Sequence, residues 1–327
     1  LIGARPDEIY FTSGGSESDN WAIKSFSRSI RKKRMGASCH IITTSIEHNA
    51  VLNSCRTLES EGFTVTYLPC DKYGFIHPET LQAAIRDDTI LISVMAANNE
   101  VGSIQPLKAI GQIARRHQIV FHTDAVQAYG HIPINVNECM IDMLSMSAHK
   151  LHGPKGVGFL YIRNGLELPS YIDGGSQENG HRAGTSNVPG IVGLGKACEI
   201  AARNMQKNIN SMTRLRNRLI YQIRQGLPNA GLTGSEQMRL PNNVSFCFPG
   251  VESAQLLSIL DSHGICASAG SACSTGAAGP SHVLIAMGID YNLAGGSLRL
   301  TLSGENTMQE VDFVAETGIK AVKRLSI

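Results

Sequence analysis

The sequence predicts an α/β protein: a mostly parallel seven-stranded sheet with helices on both faces, and then a smaller C-terminal α+β domain. Three observations carry this. Short, β-branched apolar runs alternate with longer amphipathic patterns along most of the chain. Such runs, buried on both faces, belong to parallel sheets covered by helices. The ends of these runs carry polar or glycine-rich clusters, as the ligand-facing edge of such a sheet should. A long helical stretch from Gly190 to about Gly226 then separates this part from a shorter mixed region.

Taken in order, the expected strands are Glu8 to Thr12, His40 to Ser45, Thr64 to Leu68, Ile90 to Met95, Ile119 to Thr123, Met143 to Ser147 and Gly158 to Ile162. Helical spacing of apolar residues fills the intervals at Glu17 to Lys33, Ala50 to Glu61 and Pro106 to His117. In the first of these, Trp21, Ile23, Phe26 and Ile30 make the apolar face, and the basic run Arg28 to Arg34 reads as its solvated end. The later region reads as a strand (Asn243 to Phe248), a helix (Glu252 to His263), a small-residue loop, a short helix, a strand (Ser297 to Leu302) and a final helix (Met308 to Arg324). The expected domains are therefore 1–195, the large one, and 196–327, the connecting helix with the small one.

Composition narrows the function. The 327 residues are 42% hydrophobic with a net charge of +2, which gives no electrostatic case for nucleic acid or a membrane surface. No apolar run reaches the roughly 18 residues that span a bilayer. Eight cysteines are scattered without a CxxC pair, so neither a zinc site nor a disulfide framework is indicated, and no metal is expected. A reducing cytoplasm suits that usage.

The chemistry is densest at Ser147-Ala148-His149-Lys150, after an apolar strand and before Gly153-Pro154-Lys155-Gly156. Lysine is ordinarily a solvated surface residue. One that follows a buried strand among small neighbours suits an amine that bonds the aldehyde of pyridoxal phosphate (PLP), whose ring stores electrons from an amino acid. Ser13-Gly14-Gly15-Ser16, between strand and helix, is either a tight helix cap or a phosphate turn. Asp124 either caps a helix or keeps a pyridine nitrogen protonated. Gln127 and Asn99 are placed to bond a ring hydroxyl, and His48 either stacks on the ring or is structural.

Together these residues resemble the fold-type I PLP enzymes, within them the cysteine desulfurases of the NifS/IscS type. The resemblance runs through Phe11 to Asn20, Glu47-His48, Asn98-Asn99-Glu100-Val101-Gly102, Asp124-Ala125-Val126-Gln127, Ser147 to Gly156, Gly174 to Glu178 and Arg182-Ala183-Gly184-Thr185. It implies that Lys150 holds the cofactor, Asp124 pairs with the pyridine nitrogen, and His48 stacks on the ring and helps move protons. By the same resemblance Gln127 and Asn99 contact the ring hydroxyl and substrate side, while Gly15, Ser16, Ser147 and His149 bind the phosphate. Thr185 reaches the phosphate of the other subunit, which implies a homodimer.

The resemblance also assigns Cys273, in Ser268 to Pro280, as the nucleophile that takes sulfur from L-cysteine and leaves L-alanine. That stretch has few large side chains to anchor it, so a mobile loop is expected. Arg299, in Ser297-Leu298-Arg299-Leu300, would grip the substrate carboxylate with its planar fork. A sulfur acceptor, such as an iron–sulfur scaffold or a thiolation partner, is the implied client. The chain departs from the usual family pattern at Ser176, Ser186 and Ser303-Gly304-Glu305-Asn306. Leu1-Ile2-Gly3 reads like the end of an interrupted helix, and the resemblance implies a further N-terminal segment of roughly sixty residues. A selenocysteine lyase, an aminotransferase and a truncated binding module are the alternatives.

Overall fold

The computed structural model describes residues 1–270 and 279–326. Contacts divide them into two units: 1–69, 76–97 and 105–203 in the first, and 70–75, 98–104 and 204–327 in the second.

The first unit is built on a seven-stranded sheet. Its strands are β1 (Ile9–Thr12), β2 (His40–Thr44), β3 (Thr64–Leu68), β4 (Thr89–Ser93), β5 (Val120–Asp124), β6 (Met143–Ser147) and β7 (Gly158–Ile162). Their order is β1-β7-β6-β5-β4-β2-β3, and only β7 runs against its neighbours. Strands β2, β4 and β6 are buried along their whole length and hold apolar residues and small hydroxyls, apart from His40, whose ring bonds the Thr89 and Thr66 hydroxyls.

The helices of this unit are α1 (Gly15–Asn20), α2 (Phe26–Lys33), α3 (Asn49–Ser60), α4 (Pro78–Ala83) and α5 (Leu107–Arg116). A π-turn at Trp21–Ser25 joins α1 to α2. The expected apolar face is real: Trp21, Ile23 and Phe26 are buried in the main core with Val51, Leu58, Leu91 and Leu160, and Ile30 packs at its margin. The Trp21 indole N–H donates to the Pro169 carbonyl at 2.9 Å. The basic end of α2 is tied down: Arg28 pairs with Glu61, Lys33 with Glu167, and the Arg31 guanidinium lies 4.9 Å from the Phe63 ring centre. At the sheet edge the Phe11 N–H donates to the Glu178 carboxylate at 2.9 Å. Residues 1–5 form no helix, unlike the helix end read there from sequence.

The second unit holds a three-stranded antiparallel sheet, β10-β9-β8, made of β8 (Gly231–Leu232), β9 (Asn243–Cys247) and β10 (Ser297–Thr301). Between and after them come α7 (Ser253–Ser262), α8 (His282–Ala286), α9 (Tyr291–Ala294) and α10 (Met308–Leu325). Phe246, Phe248, Leu256, Leu260, Leu298 and Val311 form its core, with Leu215, Leu219 and Ile223 from α6 (Val188–Gly226). The division between units falls within α6, after Arg203, where the sequence placed the domain boundary at 195/196. Segment 98–104 belongs with the second unit because it is bonded there: the Asn243 side chain donates to the Glu100 carbonyl at 3.0 Å, and the Leu240 N–H to the Gly102 carbonyl at 2.8 Å. Among the described residues, no helix is long and apolar enough to cross a membrane.

Trp21 fills its site completely and spends its one polar atom on Pro169, so two substitutions separate volume from the hydrogen bond. Trp21→Ala is expected to cost about 3–5 kcal/mol of unfolding free energy. Trp21→Phe, which loses the donor but keeps most of the volume, is expected to cost roughly 1–3 kcal/mol. Urea denaturation followed by circular dichroism measures both.

Candidate active site

The register of β7 decides where the site forms. Gly158, its first residue, pairs with Thr12 at the end of β1 and with Ser147 at the end of β6. Any side chain at Gly158 would put a Cβ 2.3 Å from the Met146 carbonyl oxygen and 2.7 Å from Gly14 Cα. The absence of that side chain lets the Ser13–Ser16 turn lie directly beside Ser147. A Cβ at Gly15 would likewise fall 2.5 Å from Val126 Cγ2. The turn is thus packed between the ends of β5 and β6, and Gly15 and exposed Ser16 open α1 there.

Asp124 ends β5 and is buried. One of its oxygens accepts the Val126 N–H at 2.9 Å. Burial pushes its carboxyl up, opposed by that N–H and by the positive charge available at His48 and Lys150. His48 caps α3, its Nδ1 accepting the Ala50 N–H at 3.1 Å, so a neutral ring carries its proton on Nε2. A ring nitrogen of His48 and carboxylate oxygens of Asp124 and Asp19 lie within 4.8 Å of one another. Lys150, half-buried, sits in a single 3₁₀ turn, Ala148–Leu151, that follows β6 directly. Ser147 is buried, and its hydroxyl is 2.8 Å from His149 Nδ1. Gln127 is half-buried in the turn after Asp124.

Behind these residues lie groups that the sequence reading quoted without giving them a role. Asp19 is fully enclosed and held well above the usual carboxylate range by burial and by the neighbouring Asp124. Glu47 accepts from the Thr44 hydroxyl at 2.8 Å and the Met95 N–H at 2.9 Å, and burial pushes it up to about 8. His122 is sandwiched between the Ser93 and Ser145 hydroxyls at 2.9 and 3.0 Å, and burial drives it down to about 3, so it is neutral. Its Nε2 is 3.7 Å from Asp19 Oδ1, an oxygen without a hydrogen-bond partner among the described residues. Three buried acids therefore gather where a pyridinium N–H would add positive charge. With a lysine amine, a capping histidine and a glycine turn alongside, this donor set fits PLP.

The remaining expected residues are carried by other segments. Thr185 is exposed on a loop of the first unit and lines a cleft of about 70 Å³ with Ser13, Glu178, Arg182 and Asn187. Asn99 and Arg299 meet in the second unit, where Arg299 Nη1 donates to the Asn99 carbonyl at 2.8 Å. Arg299 also exchanges backbone hydrogen bonds with Ser268 at 2.7 and 3.1 Å. Cys273, with the mobile loop expected around it, lies outside the described residues. Its flanks do not: Gly270 lies beside the Glu100 carboxylate, and the Ser281 hydroxyl donates to it.

The sequence profile of the family described as "Aminotransferase class-V" matches residues 1–314. The chain belongs to the class-V aminotransferase family. Within this family it groups with the cysteine desulfurases. It is 52% identical to "Cysteine desulfurase IscS" of Methanosarcina thermophila over 99% of this chain and 79% of that one. It is 51% identical to the protein of the same name from Clostridium botulinum (strain Hall), over 99% and 81%. Among solved structures, a "NIFS-LIKE PROTEIN" superposes with a TM-score of 0.91 at 39% identity, covering 99% of this chain and 85% of that one. Another, titled "SspA in complex with cysteine", gives 0.79 at 38%, covering 94% and 84%. Members of this class-V family are PLP-dependent, in agreement with the fit of the donor set.

The buried, neutral His122 has a consequence for stability. Its ordinary value is 6.5 and its folded value about 3, so between these the unfolded chain takes up a proton that the folded chain refuses. Stability is therefore expected to fall as pH drops from 6.5 toward 3. In His122→Gln, urea titrations from pH 7 to pH 4 are expected to show a shallower decline than in the parent.

Proposed function

We propose that this chain is a PLP-dependent cysteine desulfurase that moves sulfur from L-cysteine onto Cys273, releases L-alanine and passes the sulfur to an acceptor protein. The carrying observation is the meeting of buried Asp124 with His48 and Lys150 beside the Gly14-Gly15 turn, in a chain about half identical to cysteine desulfurases. When bound, PLP supplies an electron sink for the Cα–H and Cβ–Sγ chemistry of the substrate. Lys150 provides the amine that holds it, and Asp124 keeps its ring nitrogen protonated. His48 and Gln127 hold the ring, with Asn99 toward the substrate side. Gly15, Ser16, Ser147 and His149 take the phosphate.

His48 can hand on a proton as the imidazolium and take one back as the neutral ring. Arg299, bonded to Asn99 and Ser268 on β10, orients the substrate carboxylate. Cys273 attacks as the thiolate, the nucleophilic form of the group. The acceptor is an iron–sulfur scaffold or a thiolation partner. A homodimer, with Thr185 serving the partner's phosphate, is supported by the apolar face that α6 leaves open: Val188 and Val192, one turn apart, are 60% and 66% exposed. A cytoplasmic setting is supported by the scattered cysteine usage, with no CxxC pair in the sequence.

Two measurements test this. Brief exposure of the PLP-loaded protein to L-cysteine is expected to add the mass of one sulfur atom, and Cys273→Ala is expected to add none. A Cys273→Ala protein that still gains the sulfur overturns the assignment. Arg299→Gln, which keeps a polar side chain but loses the charged fork, is expected to raise KM for L-cysteine by roughly 10- to 100-fold, with a much smaller change in kcat.

A further inference from the structure

If Ser13–Ser16 receives a phosphate dianion, the residue that follows is an awkward neighbour. Glu17 is a carboxylate in the first turn of α1, next to the place where two negative charges would arrive. Arg182 grips this carboxylate with two N–H groups, Nε to Oε1 at 2.7 Å and Nη2 to Oε2 at 3.1 Å. Oε2 also accepts the Ser13 N–H at 2.8 Å. The Arg182 and Glu17 side chains are only 23% and 10% exposed, so water screens the pair weakly. Burial pushes the Glu17 carboxyl up, and the hydrogen bonds from Arg182 and Ser13 outweigh that, holding it below its ordinary value. The pair is therefore ionic. Arg182 lies three residues before Thr185, and both line the small cleft that Ser13 also borders.

We propose that the Arg182–Glu17 ion pair is a positioning device for the cofactor phosphate, fixing the Ser13 turn to the Thr185 loop while cancelling the Glu17 charge. This rests on the proposed function, since it presumes the phosphate. Neither residue is assigned contact with the cofactor. The physical signature is an asymmetry: removing one partner of a shielded pair leaves an uncompensated charge, whereas removing both leaves none. Arg182→Met alone strands a carboxylate beside the dianion. Glu17→Gln with Arg182→Met removes the repulsion along with the attraction.

The test is a titration of the cofactor-free protein with PLP and, separately, with pyridoxal, which lacks the phosphate. Absorbance of the lysine-bound chromophore reports binding, and circular dichroism melts report folding. Arg182→Met is expected to weaken PLP binding at least about tenfold and to change pyridoxal binding by less than about twofold. The double variant E17Q/R182M is expected to recover most of the loss. Equal losses for both ligands, or a double variant that binds PLP no better than R182M, overturn the inference. Should R182M not fold, Arg182→Lys takes its place: it keeps the charge and loses the fork, and is expected to weaken PLP binding about threefold without touching pyridoxal. Unchanged PLP binding in R182K then overturns the inference. A parent protein that binds neither ligand refutes the cofactor reading itself, an outcome distinct from a parent that binds PLP with no dependence on Arg182.

Discussion

Reversing one strand, β7, brings the pocket of the first unit together. Six strands run one way, so their carboxyl ends share an edge, and β7 enters between β1 and β6 in the opposite sense. Its starting glycine therefore lies between the two strand ends that carry the glycine turn and the lysine. Segments far apart in sequence become neighbours through a row of three paired residues, Thr12, Gly158 and Ser147. A slip of one residue in that pairing would turn every side chain of the strand to the other face of the sheet and separate the turn from Ser147. The requirement for glycine at 158 is thus a requirement on register as much as on space.

The same edge gathers acids that a stable protein would ordinarily keep in water. Asp19, Glu47 and Asp124 are all buried near one another, and each is pushed up by loss of water. His122 does not offset them, since its enclosure keeps it neutral. Such concentrations of local cost are characteristic of sites built for a ligand. A ligand that brings a cationic N–H and binds only the folded chain returns part of that cost as stability. Cofactor binding and folding of the first unit are therefore linked through these carboxyls.

Much of this could be read from the residues. β3, β6 and β7 have the boundaries read from the sequence: β6 and β7 are buried runs that composition alone reveals, and the half-exposed β3 shows itself by its β-branched and aromatic residues. Short elements could not be read: α4 and the two-residue β8 carry too few residues for a periodic signal. At the site, His48, Asp124, Ser147 and Lys150 were legible because each follows a strand or opens a helix, positions with a stereotyped relation to the ligand edge. The partners of Glu17, Asp19 and His122 were not. Nothing local distinguishes a paired glutamate from a solvated one, and the Arg182 that pairs with Glu17 stands 165 positions away in the chain. Segment 98–104 gave no sign of its allegiance either, since its bonds to Leu240 and Asn243 exist only once the second unit is assembled.

The contact between Glu178 and the Phe11 N–H has a consequence outside the chemistry. β1 is the terminal strand of the large sheet, and its outward N–H groups are a template on which a strand from another molecule could add. A carboxylate bound to one of them occupies the place of a foreign carbonyl and sets a negative charge in the path of further pairing. The segment that carries this guard, Glu178 with its neighbour Asn179, adopts a left-handed backbone at two successive non-glycine residues. That turn holds the carboxylate against β1 in an uncommon backbone conformation, so the blunting of this edge depends on the geometry of a loop 167 positions away in the chain.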